Sequence, residues 1–173
     1  RLREIEPQSE HAFTRLDSIF RSTERWESLR DLLLERATIH EMREEIKRAV
    51  ACLFDAAELS RERLDDEESA ISSLTRLLEW DAQNEGALIL LEEIFEKSGR
   101  WEELLDFLDE RLEVREGDDA IQTALRIATL SLEKLEDDAR AESALRYVLE
   151  ENWGPVLPPA YSSLQLRLIC LAL

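Results

Sequence analysis

Glycine and proline are scarce: the 173 residues hold 4 of each, and three of the prolines crowd together at Pro155, Pro158 and Pro159. Hairpin-rich all-β folds need such residues at turn after turn, and alternating runs of Val, Ile, Thr and aromatic residues are missing as well, so a β architecture is excluded. Cysteine is nearly absent. Cys52 and Cys170 stand far apart on predicted helices, where they read as small core residues; they make neither a disulfide framework nor a zinc site, and redox chemistry gives no compartment. The two histidines, His11 and His40, have no Cys or His at ligand spacing, so no metal site is expected. No apolar run of about 18 residues could cross a membrane, and no signal peptide opens the chain. A Gly-rich phosphate loop, a nucleophile elbow and a Cys–His pair are all missing. No catalytic residue, metal or cofactor is therefore expected, and the protein is read as a non-enzyme.

Positive charge is also in deficit. Lys and Arg total 22 against 40 Asp and Glu, a formal charge of −18. Nucleic-acid binding needs a concentrated basic stripe, whereas Arg43, Lys47 and Arg48 are interleaved with Glu41, Glu44 and Glu45, the pattern of a solvated helix face. The plain reading of the acidity is solubility. The functional one is an acidic groove or rim that receives a basic segment. Arg1 in place of a start methionine suggests a piece of a longer chain.

What the sequence has in abundance is Leu, Ala, Glu and Arg, all strong helix formers. Apolar residues recur at three- and four-residue spacing along nine segments. The first carries Ala12, Phe13, Leu16, Ile19 and Phe20; the second Trp26, Leu29, Leu32, Leu33 and Ala37; the third Ile46, Ala49, Val50, Leu53, Phe54 and Ala57. The last holds Leu164, Leu168, Ile169 and Leu171, after a break at Asn152 to Pro159. Short polar connections such as Asp65-Asp66, Ser98-Gly99 and Asp137-Asp138 supply caps and turns, and links this short force neighbouring helices antiparallel.

The helices repeat. Ile19 to Leu29 aligns with Ile94 to Leu104, so Trp26-Glu27 matches Trp101-Glu102 at an offset of 75. From Leu59 onward the offset is 71: Leu64 matches Leu135, Asp66 matches Asp137, and Ala70 matches Ala141. The four residues gained between Arg36 and Leu59 are close to one helical turn of about 3.6 residues. They place an extra turn at the start of the third helix or in the loop before it. Trp26 and Trp101 recur and are expected to pack; Trp80 and Trp153 do not, which makes them the better candidates for exposed contacts.

Gly99-Arg100-Trp101-Glu102-Glu103-Leu104-Leu105 resembles the turn and second helix of a tetratricopeptide repeat. Leu88, Leu91 and Phe95 fall on that family's large apolar positions in the first helix, and Ala70 and Ala141 on its small position. Leu104 at one small position and Glu92 in place of a glycine mark the repeats as degenerate, like those of long bacterial arrays. Half-a-tetratricopeptide-type repeats and other helix-pair solenoids share this pattern. The resemblance implies an all-α, right-handed solenoid of antiparallel pairs with about nine helices. Its repeats would run over about 8–40, 43–81, 84–116 and 118–152, with an unpaired terminal helix over about 157–172.

It further implies a non-catalytic protein-binding scaffold whose first helices line a concave face. Outward positions there are Asp55, Glu58 and Glu62; Ile89, Glu93, Glu96 and Lys97; and Arg126, Thr129 and Glu133. Such a face suits a basic or amphipathic segment of a partner protein. The family's clamp for a terminal carboxylate is not expected, because Ile89 and Glu93 occupy positions it needs for basic and amide groups. The alternative is a structural segment that self-associates through the terminal helix, whose leucine-rich stripe ends the sequence without a partner.

Overall fold

The structure, a computed structural model, describes residues 10–114 and 116–153. Among these residues there is no strand. Eight helices follow one another: α1 Glu10–Ser22, α2 Trp26–Met42, α3 Ile46–Leu59, α4 Glu67–Trp80, α5 Glu85–Ser98, α6 Trp101–Val114, α7 Gly117–Leu130 and α8 Asp138–Trp153. Short π-helical turns, Ser60–Leu64 and Ser131–Leu135, extend α3 and α7. The ninth helix expected over 157–172, together with Cys170, lies outside the described residues. The chain divides into two compact units, Arg1–Ile94 and Phe95–Leu173, the division falling inside α5.

Within the first unit α1 packs on α2, α2 on α3 and α3 on α4, and cross-links fix the directions. Arg63, just past α3, stacks over Trp26 at the start of α2, so α2 and α3 run antiparallel. Arg30 near the start of α2 reaches Asp66 at the start of α4 at 2.9 Å. At the other end Arg76 meets Thr38 at 2.8 Å and Glu41, so α2 and α4 run parallel on either side of α3. Leu29, Leu32, Leu33, Ala56 and Leu59 form a buried cluster, with Phe13, Leu16, Phe20 and Trp26 packed against it. Fully buried Ala37, Ala49 and Ala57 let the helix backbones approach closely.

The second unit repeats the plan. Lys134, past the end of α7, lies over Trp101 at the start of α6, and Arg140 of α8 reaches Asp106 and Asp109 of α6 at 2.6 and 2.8 Å. Its core includes Leu104, Leu105, Leu108, Ala120, Ala124, Ile127, Ala128 and Leu145. At the 71-residue offset the pair Leu53 and Ala56 becomes Ala124 and Ile127, all buried. The bulk moves three residues, about one turn, along the helix while total volume is held, which is the kind of exchange a packed core tolerates.

The repeat extends to backbone detail. Glu24 and Gly99, 75 apart, both adopt positive φ, at 53° and 69°. Asp65 and Glu136, 71 apart, do the same at 52° and 54°. In each π turn one serine is fully buried, Ser60 or Ser131, and its carbonyl accepts the N–H of Asp66 at 3.0 Å or of Asp137 at 2.9 Å. Asp66 and Asp137 then cap the next helix, accepting the N–H groups of Ser69 at 3.0 Å and Arg140 at 3.0 Å.

The extra turn sits elsewhere than the offset suggested. α3 and α7 both have 14 residues, whereas α2 has 17 against 14 in α6. Three of the four added residues lengthen the end of α2 and the fourth enters the loop after it. His40 explains why the helix continues: it is buried and its Nδ1 lies 2.6 Å from Glu45 Oε2. The same turn carries Glu41, which binds Arg76 and accepts the Trp80 indole N–H at 3.2 Å.

Candidate functional site

Asp55 and Glu58 stand one turn apart on the outward side of α3, and Glu62 follows one turn later on the π turn. The structure brings these three together. They line one wall of a cleft of about 250 Å³ whose other walls are Arg21 of α1, Trp26 and Leu33 of α2, and Leu59 and Arg63. The aromatic and aliphatic members belong to the core cluster or pack against it, so the floor is apolar while the rim is charged.

The charges on the rim are unevenly satisfied. Arg21 turns along its own helix and donates from Nε to both oxygens of Asp17 at 3.0 and 3.1 Å. Arg63 lies over the Trp26 ring, 5.1 Å from its centroid. Among the described residues Glu62 meets its neighbour Arg61, at 3.4 Å. Asp55 and Glu58 make no hydrogen bond or ion pair among the described residues. Partial burial, only partly offset by Arg21, holds the Asp55 carboxyl above its ordinary range.

The other expected site residues fall on two faces. In the first unit Ile89 is 58% exposed and Glu93 pairs with Arg61 at 3.1 Å. In the second unit Glu96 accepts from Arg126 at 2.5 Å, the Thr129 hydroxyl donates to the Leu125 carbonyl at 2.9 Å, and Lys97 and Glu133 are exposed. Sequence reasoning missed Arg21, Trp26 and Arg63 as members of the cleft. The signal was present, because Trp26 and Arg63 recur as Trp101 and Lys134 at the two offsets; it reads as packing until the helix ends are placed.

Among the described residues no group of three or more His, Cys, Asp or Glu side chains could hold a metal ion. No described helix is long and apolar enough to cross a membrane. Cys52 is partly buried, and its thiol is pushed up to about 11, chiefly by burial, so it is a poor nucleophile at neutral pH. Trp80 is 46% exposed yet tethered through its indole N–H to Glu41. The Trp153 side chain lies outside the described residues.

Helix pairs joined by tight turns, repeated with the same caps and the same cation-over-tryptophan contact, define a helical-repeat protein. Residues 87–138 match the tetratricopeptide repeat family model, and no curated protein matches the chain. The chain is a helical-repeat protein, tetratricopeptide-like over the matched stretch. That family points to a protein–protein interaction module, and its fold is typically non-catalytic.

Proposed function

We propose that the protein binds a basic or amphipathic segment of a partner protein, each unit offering the outward side of its first-helix positions as a docking face. In the first unit these are Asp55, Glu58, Glu62, Ile89 and Glu93; in the second, Glu96, Lys97, Arg126, Thr129 and Glu133. The observation that carries this reading is the pair of carboxylates, Asp55 and Glu58, that form no ion pair among the described residues and stand beside apolar side chains. Asp55 is exposed and Glu58 half-buried, so both can be reached from outside, and a segment with alternating basic and apolar side chains would satisfy rim and floor together. The formal charge of −18 steers cationic partners toward the surface and raises their association rate.

Calorimetric titration of the whole chain with a 20-residue amphipathic peptide rich in Lys and Leu, and with its Glu-for-Lys counterpart, tests the reading. Micromolar binding of the basic peptide and none of the acidic one is expected. Equal binding of the two, or none of either, would overturn it.

A further inference from the structure

We propose that the cleft over Trp26 is a receptor for a single lysine or arginine side chain of the bound segment, with its aliphatic stem on Trp26, Leu33 and Leu59 and its cationic head between Asp55 and Glu58. This rests on the protein-binding reading above and narrows it to one pocket and one residue type.

Three observations converge on that occupant. The cleft is amphipathic in the order a long basic side chain requires, apolar below and anionic above, and lysine and arginine habitually bury the stem and keep the head polar. Its volume of about 250 Å³ corresponds to several water-sized groups at roughly 30 Å³ each, enough for one extended side chain and too little for a folded peptide. Of the five charged groups that line it, Arg21 is engaged with Asp17, Arg63 with the indole and Glu62 with Arg61, while Asp55 and Glu58 form no ion pair among the described residues. The imbalance therefore selects a cation.

The second unit supplies the internal comparison. There the position equivalent to Asp55 is Arg126, the position equivalent to Arg21 is Glu96, and the two are joined at 2.5 Å. Thr129 replaces Glu58 and turns its hydroxyl back to its own helix. Lys134 over Trp101 repeats Arg63 over Trp26. Beside the second tryptophan the chain's own guanidinium already meets a carboxylate; beside the first the carboxylates are left for a guanidinium or ammonium from outside. The raised Asp55 carboxyl agrees with an anion waiting for a counter-charge.

The test uses the full chain at low salt and follows the Trp26 indole N–H by NMR, assigned by comparison with Trp26→Phe. The probes are N-acetyl-arginine amide, N-acetyl-lysine amide and N-acetyl-norleucine amide, the last keeping the stem and losing the charge. The two cationic amides should shift the Trp26 resonance at millimolar concentration, and the norleucine amide should not. Asp55→Asn should weaken the shift by about tenfold, as expected for loss of one charge-assisted contact, and Asp55→Arg, which imports the second unit's residue, should abolish it. Glu102→Gln, at an exposed position of α6, should leave it unchanged. A matching thermal melt for each variant shows that the fold is retained.

A Trp26 resonance indifferent to the cationic amides, or an affinity unchanged in Asp55→Asn, overturns the pocket. If the Lys-rich peptide still binds while Trp26 does not respond, the pocket fails and the protein-binding reading stands. If the peptide does not bind at all, both fail.

Discussion

Arg36 is 3% exposed, lies over Phe13 with its guanidinium carbon 5.1 Å from the ring centroid, and pairs with Glu10, yet among the described residues its Nε and Nη1 have no acceptor. Burial drives its pKa down. A guanidinium so placed carries a desolvation cost that its one ion pair offsets only in part. Arg36→Met keeps the long stem against Phe13 and frees Glu10, which is mostly exposed, to hydrate; it should leave stability unchanged or raise it by about 1–3 kcal/mol, read as the urea midpoint. Arg36→Ala should lower the midpoint, because it removes the packing as well. A drop of the same size in both variants would mean that the charge itself stabilises the fold. Asp66 shows the opposite case, a charge fully used. It accepts from the Ser69 hydroxyl at 2.6 Å, from the Ser69 N–H and from Arg30, and these bonds, the Ser69 hydroxyl first, hold its carboxyl below the ordinary range. A depressed carboxyl stabilises the fold above its unfolded value of about 3.9, and that contribution is lost as pH falls through the lower folded value. Asp66→Ala should therefore cost about 1 kcal/mol at pH 7, as helix caps do, and the two melting curves should converge toward pH 2. A difference that stayed constant with pH would show the loss to be steric.

Helix ends are where this chain strains its backbone. Glu24 closes the turn between α1 and α2 at φ 53°, and its repeat-equivalent is Gly99 at φ 69°. The left-handed region costs a side-chain-bearing residue about 1–2 kcal/mol and glycine nothing. Glu24→Gly should accordingly stabilise by roughly 0.5–1 kcal/mol once the entropy of glycine in the unfolded chain is subtracted, and Gly99→Ala should destabilise by a similar amount; paired thermal melts check the opposite signs. The same turns show what the sequence could and could not convey. The helices themselves were legible, since Leu29, Leu32 and Leu33 or Leu104, Leu105 and Leu108 repeat at the helical period and the caps at Asp66 and Asp137 are ordinary cap residues. The π turns were not, because a change in hydrogen-bond register leaves the apolar spacing nearly intact and only the buried Ser60 and Ser131 betray it. The offset alone brackets the extra turn of α2 only between Arg36 and Leu59; that His40 is buried and Glu41 holds Arg76 are facts that only tertiary packing supplies. Of the cleft, the acidic wall Asp55–Glu58–Glu62 was implied by the family resemblance, which makes the first helices line the concave face. The apolar floor was not, since Trp26 and Leu59 belong equally to the core pattern and nothing local to them tells floor from interior.

Over the whole molecule the charge of −18 acts in two ways that salt separates. Like charges spread over the surface repel one another in the folded state more than in the expanded chain, so the net charge lowers stability. Local ion pairs such as Arg30–Asp66 and Arg140–Asp109 work against this, but at exposed sites each contributes only about 0–1 kcal/mol, and pairs in contact are screened less than charges many ångströms apart. The Debye length shrinks from about 30 Å at 0.01 M to about 10 Å at 0.1 M. Repulsion across the surface should fade over that range while contact pairs persist, so the melting temperature should rise by several degrees between 0.01 and 0.2 M sodium chloride. Binding of the Lys-rich peptide should move the other way, its dissociation constant growing over the same range as the surface loses its pull on a cation. The opposed trends are the signature to look for. A melting temperature that falls with salt would mean that ion pairs, not repulsion, dominate the electrostatics of the fold, and a dissociation constant indifferent to salt would mean that the apolar floor alone holds the peptide.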